Sequence, residues 1–208
     1  MAEILEVSKN ILSSIRKLHE EFRENPYEFF YEEDIRARLY DILKNEISYK
    51  VKLTKSLYGT DEWHKKEIEI NPVKCEYSQV VSDYNKKFGA SKFDIVVLKQ
   101  DTAENFFLWP CAAIIEIKYS TDQQGAKIGG HKLDIEKVSN YRVNDAIKLA
   151  IHFDLYKLED NQINKWYKDK NIKFKKLTDD TLELSSSITY AFYITPNDIF
   201  YAEIDLNT

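Results

Sequence analysis

Ile4, Val7, Ile11, Ile15, Leu18 and Phe22 recur at steps of three and four residues with lysines and glutamates between them. That is the period of a helix with one apolar face, and it predicts an amphipathic helix over residues 3–24. Asn25-Pro26 breaks it. A second helix is expected from Tyr31 to Lys44, with Ile35, Leu39 and Ile42 on one stripe. Glu32 falls on that inward stripe, while Glu33 and Asp34 lie progressively off it.

The period then shortens to two. Ile47, Tyr49, Val51 and Leu53 alternate with polar residues, and residues 67–70 are placed to pair back on them after a turn at residues 58–61. Residues 71–90 show no period and read as irregular. Two short, almost continuous apolar runs follow, at residues 93–98 and 112–117, as in strands covered on both faces. A polar loop with Gly125, Gly129 and Gly130 spans residues 120–132. Ile135, Val138 and Tyr141 predict a helix over residues 133–142, alternation predicts a strand over 148–156, and a polar helix is expected around 159–170. Residues 189–194 and 199–204, joined across Pro196-Asn197, read as a hairpin. The expected fold is α/β: one domain over residues 1–208. It would comprise the N-terminal helix (1–24), a core (29–156), and a C-terminal helix and hairpin (157–208).

Composition narrows the setting. No apolar run in the 208 residues approaches the roughly 18 that a membrane span needs. Glu3 and Glu6 precede any apolar run, unlike a secretory signal. The two cysteines, Cys75 and Cys111, form neither a CxxC pair nor a Cys/His array, which excludes a disulfide scaffold or zinc ribbon. The expectation is a cytoplasmic protein with no membrane partner. Thirty basic residues against 35 acidic give a net charge of −5, so there is no bulk basic field, although a local basic groove can coexist with an acidic remainder.

Ionisable residues stand where buried strands should have none. Asp94 interrupts Phe93–Leu98, and Glu116 and Lys118 interrupt Ala112–Tyr119. A buried charge costs several kcal/mol, of order 3–5, unless it is paired or holds a metal. Period-two geometry puts Glu116 and Lys118 on one face. If the two strands pair antiparallel with Lys99 near Cys111, Asp94 falls opposite Glu116. Two carboxylates are hard oxygen ligands suited to Mg²⁺, and a neighbouring ammonium can orient water or stabilise charge growing on phosphorus. The plainer reading of the Glu116–Lys118 pair is a same-face salt bridge at a sheet edge. For Asp94 it is a strand cap or lysine partner, and for Glu32 a charge complementing the helix dipole, which suits Glu33 equally.

Asp94, then Glu116-x-Lys118 on the next strand, with Glu32 on an upstream helix, resembles the PD-(D/E)XK nuclease superfamily of restriction-endonuclease-like fold. Phe29-Phe30-Tyr31-Glu32-Glu33-Asp34-Ile35 is similar to the glutamate-bearing helix of restriction-type members, and Lys132-Leu133-Asp134-Ile135-Glu136-Lys137 is in their style. Phe93 stands where the motif has proline. The resemblance, over roughly residues 29–156, implies a central mixed β-sheet flanked by helices and a Mg²⁺-dependent DNA endonuclease in which Mn²⁺ can substitute. Asp94, Glu116 and the carbonyl of Ile117 would bind the metal, Lys118 would position the attacking water, and Glu32 would add a third carboxylate or hold a water. Cutting both strands with one site per chain would suggest a homodimer.

Lys127, His131, Lys132, Lys137 and Arg142 are candidates for a phosphate-contacting rim, or for ordinary solvated charge. His152 is expected to be a half-buried, satisfied histidine. Phe106, Phe107, Trp109 and Trp166 could stack on unpaired bases or fill the core. The competing function is a non-catalytic or partner-dependent nucleic-acid-binding module of the same fold.

Overall fold

The two predicted N-terminal helices form and pack against each other and against one face of a large sheet. In the computed structural model, residues 2–53, 68–78, 92–100, 102–103, 110–121, 128–141, 145–156, 160–178 and 181–204 are described. Helix α1 (Ala2–Glu24) buries Val7, Ile11, Ile15, Leu18 and Phe22, the stripe that its spacing dictates. Helix α2 (Glu32–Glu46) buries Ile35, Leu39, Ile42 and Leu43. Its start is set by Asp34, whose Oδ2 accepts the amides of Phe30 and Tyr31 at 2.9 Å each, satisfying donors at the helix N-terminus.

Strands β1 (Val51–Leu53), β2 (Ile68–Ile70) and β5 (Thr102–Ala103) make a small sheet in the order β2-β1-β5. The expected pairing of β1 with β2 is present, antiparallel, with Lys52 opposite Glu69. The strand starts at Val51 rather than Ile47, because Ile47 closes α2 by donating its amide to the Leu43 carbonyl. The turn expected at residues 58–61 lies outside the described residues.

The central sheet has seven strands: β3 (Val73–Ser78), β4 (Lys92–Leu98), β6 (Cys111–Ser120), β7 (Ile147–Asp154), β8 (Lys175–Lys176), β9 (Thr189–Ile194) and β10 (Ile199–Ile204), in the order β3-β4-β6-β7-β9-β10-β8. It is mixed. β6, β7 and β9 run parallel, and every other pair is antiparallel. Strand β3 corrects the irregular reading of residues 71–90. Val73 and Tyr77 are buried, four residues apart and in different cores, while charged neighbours and the exposed Cys75 at this sheet edge dilute the period.

Helices α3 (Ile128–Ser139) and α4 (Asp160–Trp166) lie on the opposite side of the sheet from α1 and α2. Helix α3 begins inside the expected glycine loop and stops before residue 142. It includes Gly129 and Gly130, despite the low helix propensity of glycine. Alternation along the strands divides two cores. Ile95, Ile115, Ile117, Tyr119, Leu149 and Phe153 face α1 and α2, whereas Val96, Ile114, Ala150, Ala191 and Tyr193 face α3 and α4. Among the described residues, no helix is long and apolar enough to cross a membrane.

Candidate active site

The site forms where β4 and β6 part company. Their ladder holds a register of Ile95–Ile115, Val96–Ile114 and Val97–Ala113, which places Asp94 and Glu116 next in line on one face. At the other end the expected Lys99–Cys111 pairing is off by one. A register shift pairs Leu98 with Cys111 and sends the Lys99 amide to the Pro110 carbonyl. The register at the site survives that irregularity. The paired positions end at Ile95–Ile115, and beyond them the amide of Ile117 donates to Asp94 Oδ2 at 2.7 Å. The aspartate side chain therefore ties the two strands together where the backbone pairing stops.

Groups from both helical layers enter at this end. From α2, Arg36 donates to Asp94 Oδ1 at 3.1 Å and to Glu76 Oε1 at 2.6 Å. Glu32 Oε2 lies 3.1 Å from Lys118 Nζ. From α3, Lys137 donates to Glu116 Oε1 and, at 2.8 Å, to the carbonyl of Lys92. Asp134 Oδ2 is 3.9 Å from Lys118 Nζ, too far for a hydrogen bond, and has no hydrogen-bond donor among the described residues. Four carboxylates (Glu32, Asp94, Glu116 and Asp134) thus face three cations (Arg36, Lys118 and Lys137).

The position of Glu32 is built by aromatic packing. Phe29 is buried against Phe22 with ring centroids 5.7 Å apart, and Tyr119 donates its hydroxyl to the Phe29 carbonyl at 2.6 Å. This pins the segment before α2 to the end of β6, one residue beyond Lys118. Glu33 remains exposed, so of the two rival glutamates it is Glu32 that reaches the lysine. Tyr27, Phe30 and Tyr31 are exposed beside it.

Burial sets the electrostatics. Glu116 is only 5% exposed, and desolvation, opposed by Lys137, pushes its pKa up to about 8. Desolvation likewise lifts Asp134 to about 7 against the pull of Lys118 and Lys137. For Lys118, burial disfavours the charge, but Asp134, Glu32 and Asp94 outweigh it and hold the pKa above that of an ordinary lysine. Lys118 is therefore an ammonium at neutral pH, a donor rather than a base. Gly130 makes room for it: a Cβ there would lie 3.3 Å from Lys118 Cε.

Two carboxylates on adjacent strands and the nearby carbonyl of Ile117 are donors of the type a hard cation takes while keeping several waters. Among the described residues, no three His, Cys, Asp or Glu side chains are grouped to hold a metal ion. Asp94 and Glu116 are the pair that could hold such a cation, and in this structure Arg36 and Lys137 balance their charges.

The expected phosphate rim is corrected in part. His131 is fully buried, its Nε2 3.1 Å from the Ala150 carbonyl, because it sits three residues before Asp134 on the inner face of α3. Lys137 turns inward onto Glu116, and Lys132 lies over the Tyr167 ring at 5.6 Å. His152 is fully rather than half-buried, 2.7 Å from Ser120 Oγ. Trp166 packs beside Tyr193. Residues 106, 107, 109, 127 and 142 lie outside the described residues.

Three residues of the site, Arg36, Asp134 and Glu76, are not among the candidates that the sequence pattern singles out. Arg36 follows Glu32 by four residues, which puts both on the same side of α2. Asp134 and Lys137 are three apart and each adjoins a buried residue, Ile135 and Val138, so they border the buried stripe. No comparable signal marks Glu76, whose backbone is left-handed (φ 53°) and whose carboxylate meets Arg36 and Lys92. Comparison of the chain with protein-family profiles, with curated proteins and with solved structures finds no match.

Proposed function

We propose that the chain is a Mg²⁺-dependent deoxyribonuclease of restriction type, hydrolysing phosphodiester bonds in DNA. The observation that carries this reading is the placement of Asp94, Glu116 and Lys118 on one face of two diverging strands, with Glu32 against the lysine. Asp94, Glu116 and the Ile117 carbonyl would hold Mg²⁺, or Mn²⁺ in its place. Such an ion lowers the pKa of bound water and neutralises charge on the phosphoryl group.

The chain's own groups supply the rest. Lys118, kept charged by Glu32 and Asp134, donates hydrogen bonds to the attacking water or to a phosphate oxygen. Glu32 fixes the direction of that ammonium from outside the strand pair. Asp94 has two tasks, since its Oδ2 also secures the Ile117 amide and hence the neighbouring Ile117 carbonyl. DNA is the partner this chemistry suits, and a homodimer would place two such sites on the two strands of a duplex.

A second reading has its own support. Each of Asp94, Glu116 and Glu32 already faces a basic side chain, as in a structural ion network of a non-catalytic or partner-dependent nucleic-acid-binding module. Incubation of the purified chain with supercoiled and linear DNA in Mg²⁺ or Mn²⁺ separates the two. Cleavage by the wild type is expected to fall about 10²–10³-fold in Lys118→Ala and at least as far in Asp94→Ala. Gel-shift binding without cleavage in either ion supports the module, and cleavage that survives both substitutions places the chemistry elsewhere.

A further inference from the structure

The two cations beside the proposed metal ligands differ from Lys118 in one respect: each is shared between a proposed ligand and an acceptor that is not one. Arg36 bridges Asp94 and Glu76 through the same nitrogen. Lys137 bridges Glu116 and the Lys92 carbonyl, and its ammonium also lies 5.2 Å from the Phe93 ring centre, a favourable cation–π position. Lys118, in contrast, is held between Glu32 and Asp134, neither of which is a proposed metal ligand.

We infer that Arg36 and Lys137 are exchangeable counter-ions, holding Asp94 and Glu116 in the cation-free protein and giving way when a divalent cation binds there. This rests on reading Asp94 and Glu116 as metal ligands. An ammonium hydrogen-bonded to Glu116 Oε1 competes for the oxygen that the ion needs, and its charge repels the ion. Once displaced, Lys137 retains the Lys92 carbonyl and the Phe93 face, and Arg36 retains Glu76, so neither charge is stranded. Lys137 is the stronger competitor. Its target is almost fully buried, whereas Arg36 and Asp94 both keep some exposure and are better screened by water.

The exchange predicts an inverse relation between these positive charges and cation affinity. Mg²⁺ titrations followed by calorimetry at pH 8.5 are compared for the full chain, Lys137→Met, Lys137→Arg, Arg36→Met and Asp94→Asn. Lys137→Met is expected to bind Mg²⁺ at least tenfold more tightly than wild type, Arg36→Met a few-fold more tightly, and Lys137→Arg about as wild type. A second measurement uses the unaltered protein, so that it stands even if a variant misfolds. Acetylation of Lys137, read by mass spectrometry, is expected to rise severalfold when Mg²⁺ is added, with Lys118 changing less.

Equal or weaker binding by folded Lys137→Met, or Lys137 labelling that Mg²⁺ leaves unchanged or lowers, overturns the exchange while leaving the metal site standing, provided Asp94→Asn abolishes binding. If wild type and Asp94→Asn bind Mg²⁺ alike, the metal site and the exchange both fail.

Discussion

Two polar clusters sit on the same face of the central sheet, side by side along β6 and β7, and they meet the cost of burial in opposite ways. At the open end, Asp94, Glu116, Lys118 and their helical partners balance charge against charge. Deeper in, Ser120, His131, His152, Asp154, Tyr167 and Tyr193 are joined pairwise by directed hydrogen bonds, and among the described residues only the Nδ1 of His152 lacks one in this group. The Ala150 carbonyl can only accept, so His131 carries its proton on Nε2, and its Nδ1 accepts the Tyr167 hydroxyl. Desolvation lowers the pKa of His131 to about 4, so the ring stays neutral. The neighbouring Tyr193 hydroxyl donates to Asp154.

The comparison teaches where chemistry can be expected. A fully buried network with directed donors specifies one packing arrangement. A partly exposed group of charges that burial disfavours retains free energy that a ligand can release. Asp134 belongs to the second kind, with a buried oxygen that has no hydrogen-bond donor among the described residues and a carboxyl lifted to about 7.

Acid and alkali should pull the two clusters in opposite directions, which is the largest effect expected. The folded pKa of His131 lies below its unfolded value, so its contribution is intact above about pH 6.5 and is lost as pH falls toward 4, amounting to about 3 kcal/mol. Asp134 has the reverse sign. Its folded pKa is raised, so the native state binds the proton more tightly and stability falls as pH rises from about 4 to about 7. Thermal unfolding across pH 4–8 should therefore show Asp134→Asn gaining on wild type toward pH 8, and His131→Gln flattening the acid limb. Curves that stay parallel to wild type for both variants would erase the distinction between the clusters.

A smaller effect is expected from Tyr193→Phe. Removing the hydroxyl leaves Asp154 short of a donor inside the core, at a cost of about 1–3 kcal/mol in urea unfolding, while any cleavage of DNA by the folded variant persists. The smallest change in stability should come from Gly130→Ala. Helix propensity favours alanine by up to about 1 kcal/mol, but the new methyl group presses on Lys118, so a stability gain should accompany a few-fold loss of the proposed DNA cleavage. Equal activity would mean that Lys118 has slack in its cradle.

Much of this was visible in the order of residues. The buried stripe of α1 follows from steps of three and four, and the hairpin of β9 and β10 pairs Ile194 with Ile199 across the turn at Pro196-Asn197. Asp94, Glu116 and Lys118 stood out because strands otherwise made of isoleucine, valine and alanine have no use for charge. Where local pattern failed, tertiary contacts had overridden it. Helix α3 includes two glycines that read as loop, and β3 lies at a sheet edge where only some positions need to be apolar.

Sequence alone determined which segments are amphipathic and which strands carry misplaced charges, because burial periodicity and the cost of desolvation are local properties of the chain. Only the tertiary structure decided that Arg36, Asp134 and Lys137 join those charges, and that Glu32 rather than Glu33 meets Lys118. Those partners come from helices on opposite layers of the sheet, brought together where β4 and β6 diverge, and no spacing along the chain encodes that meeting.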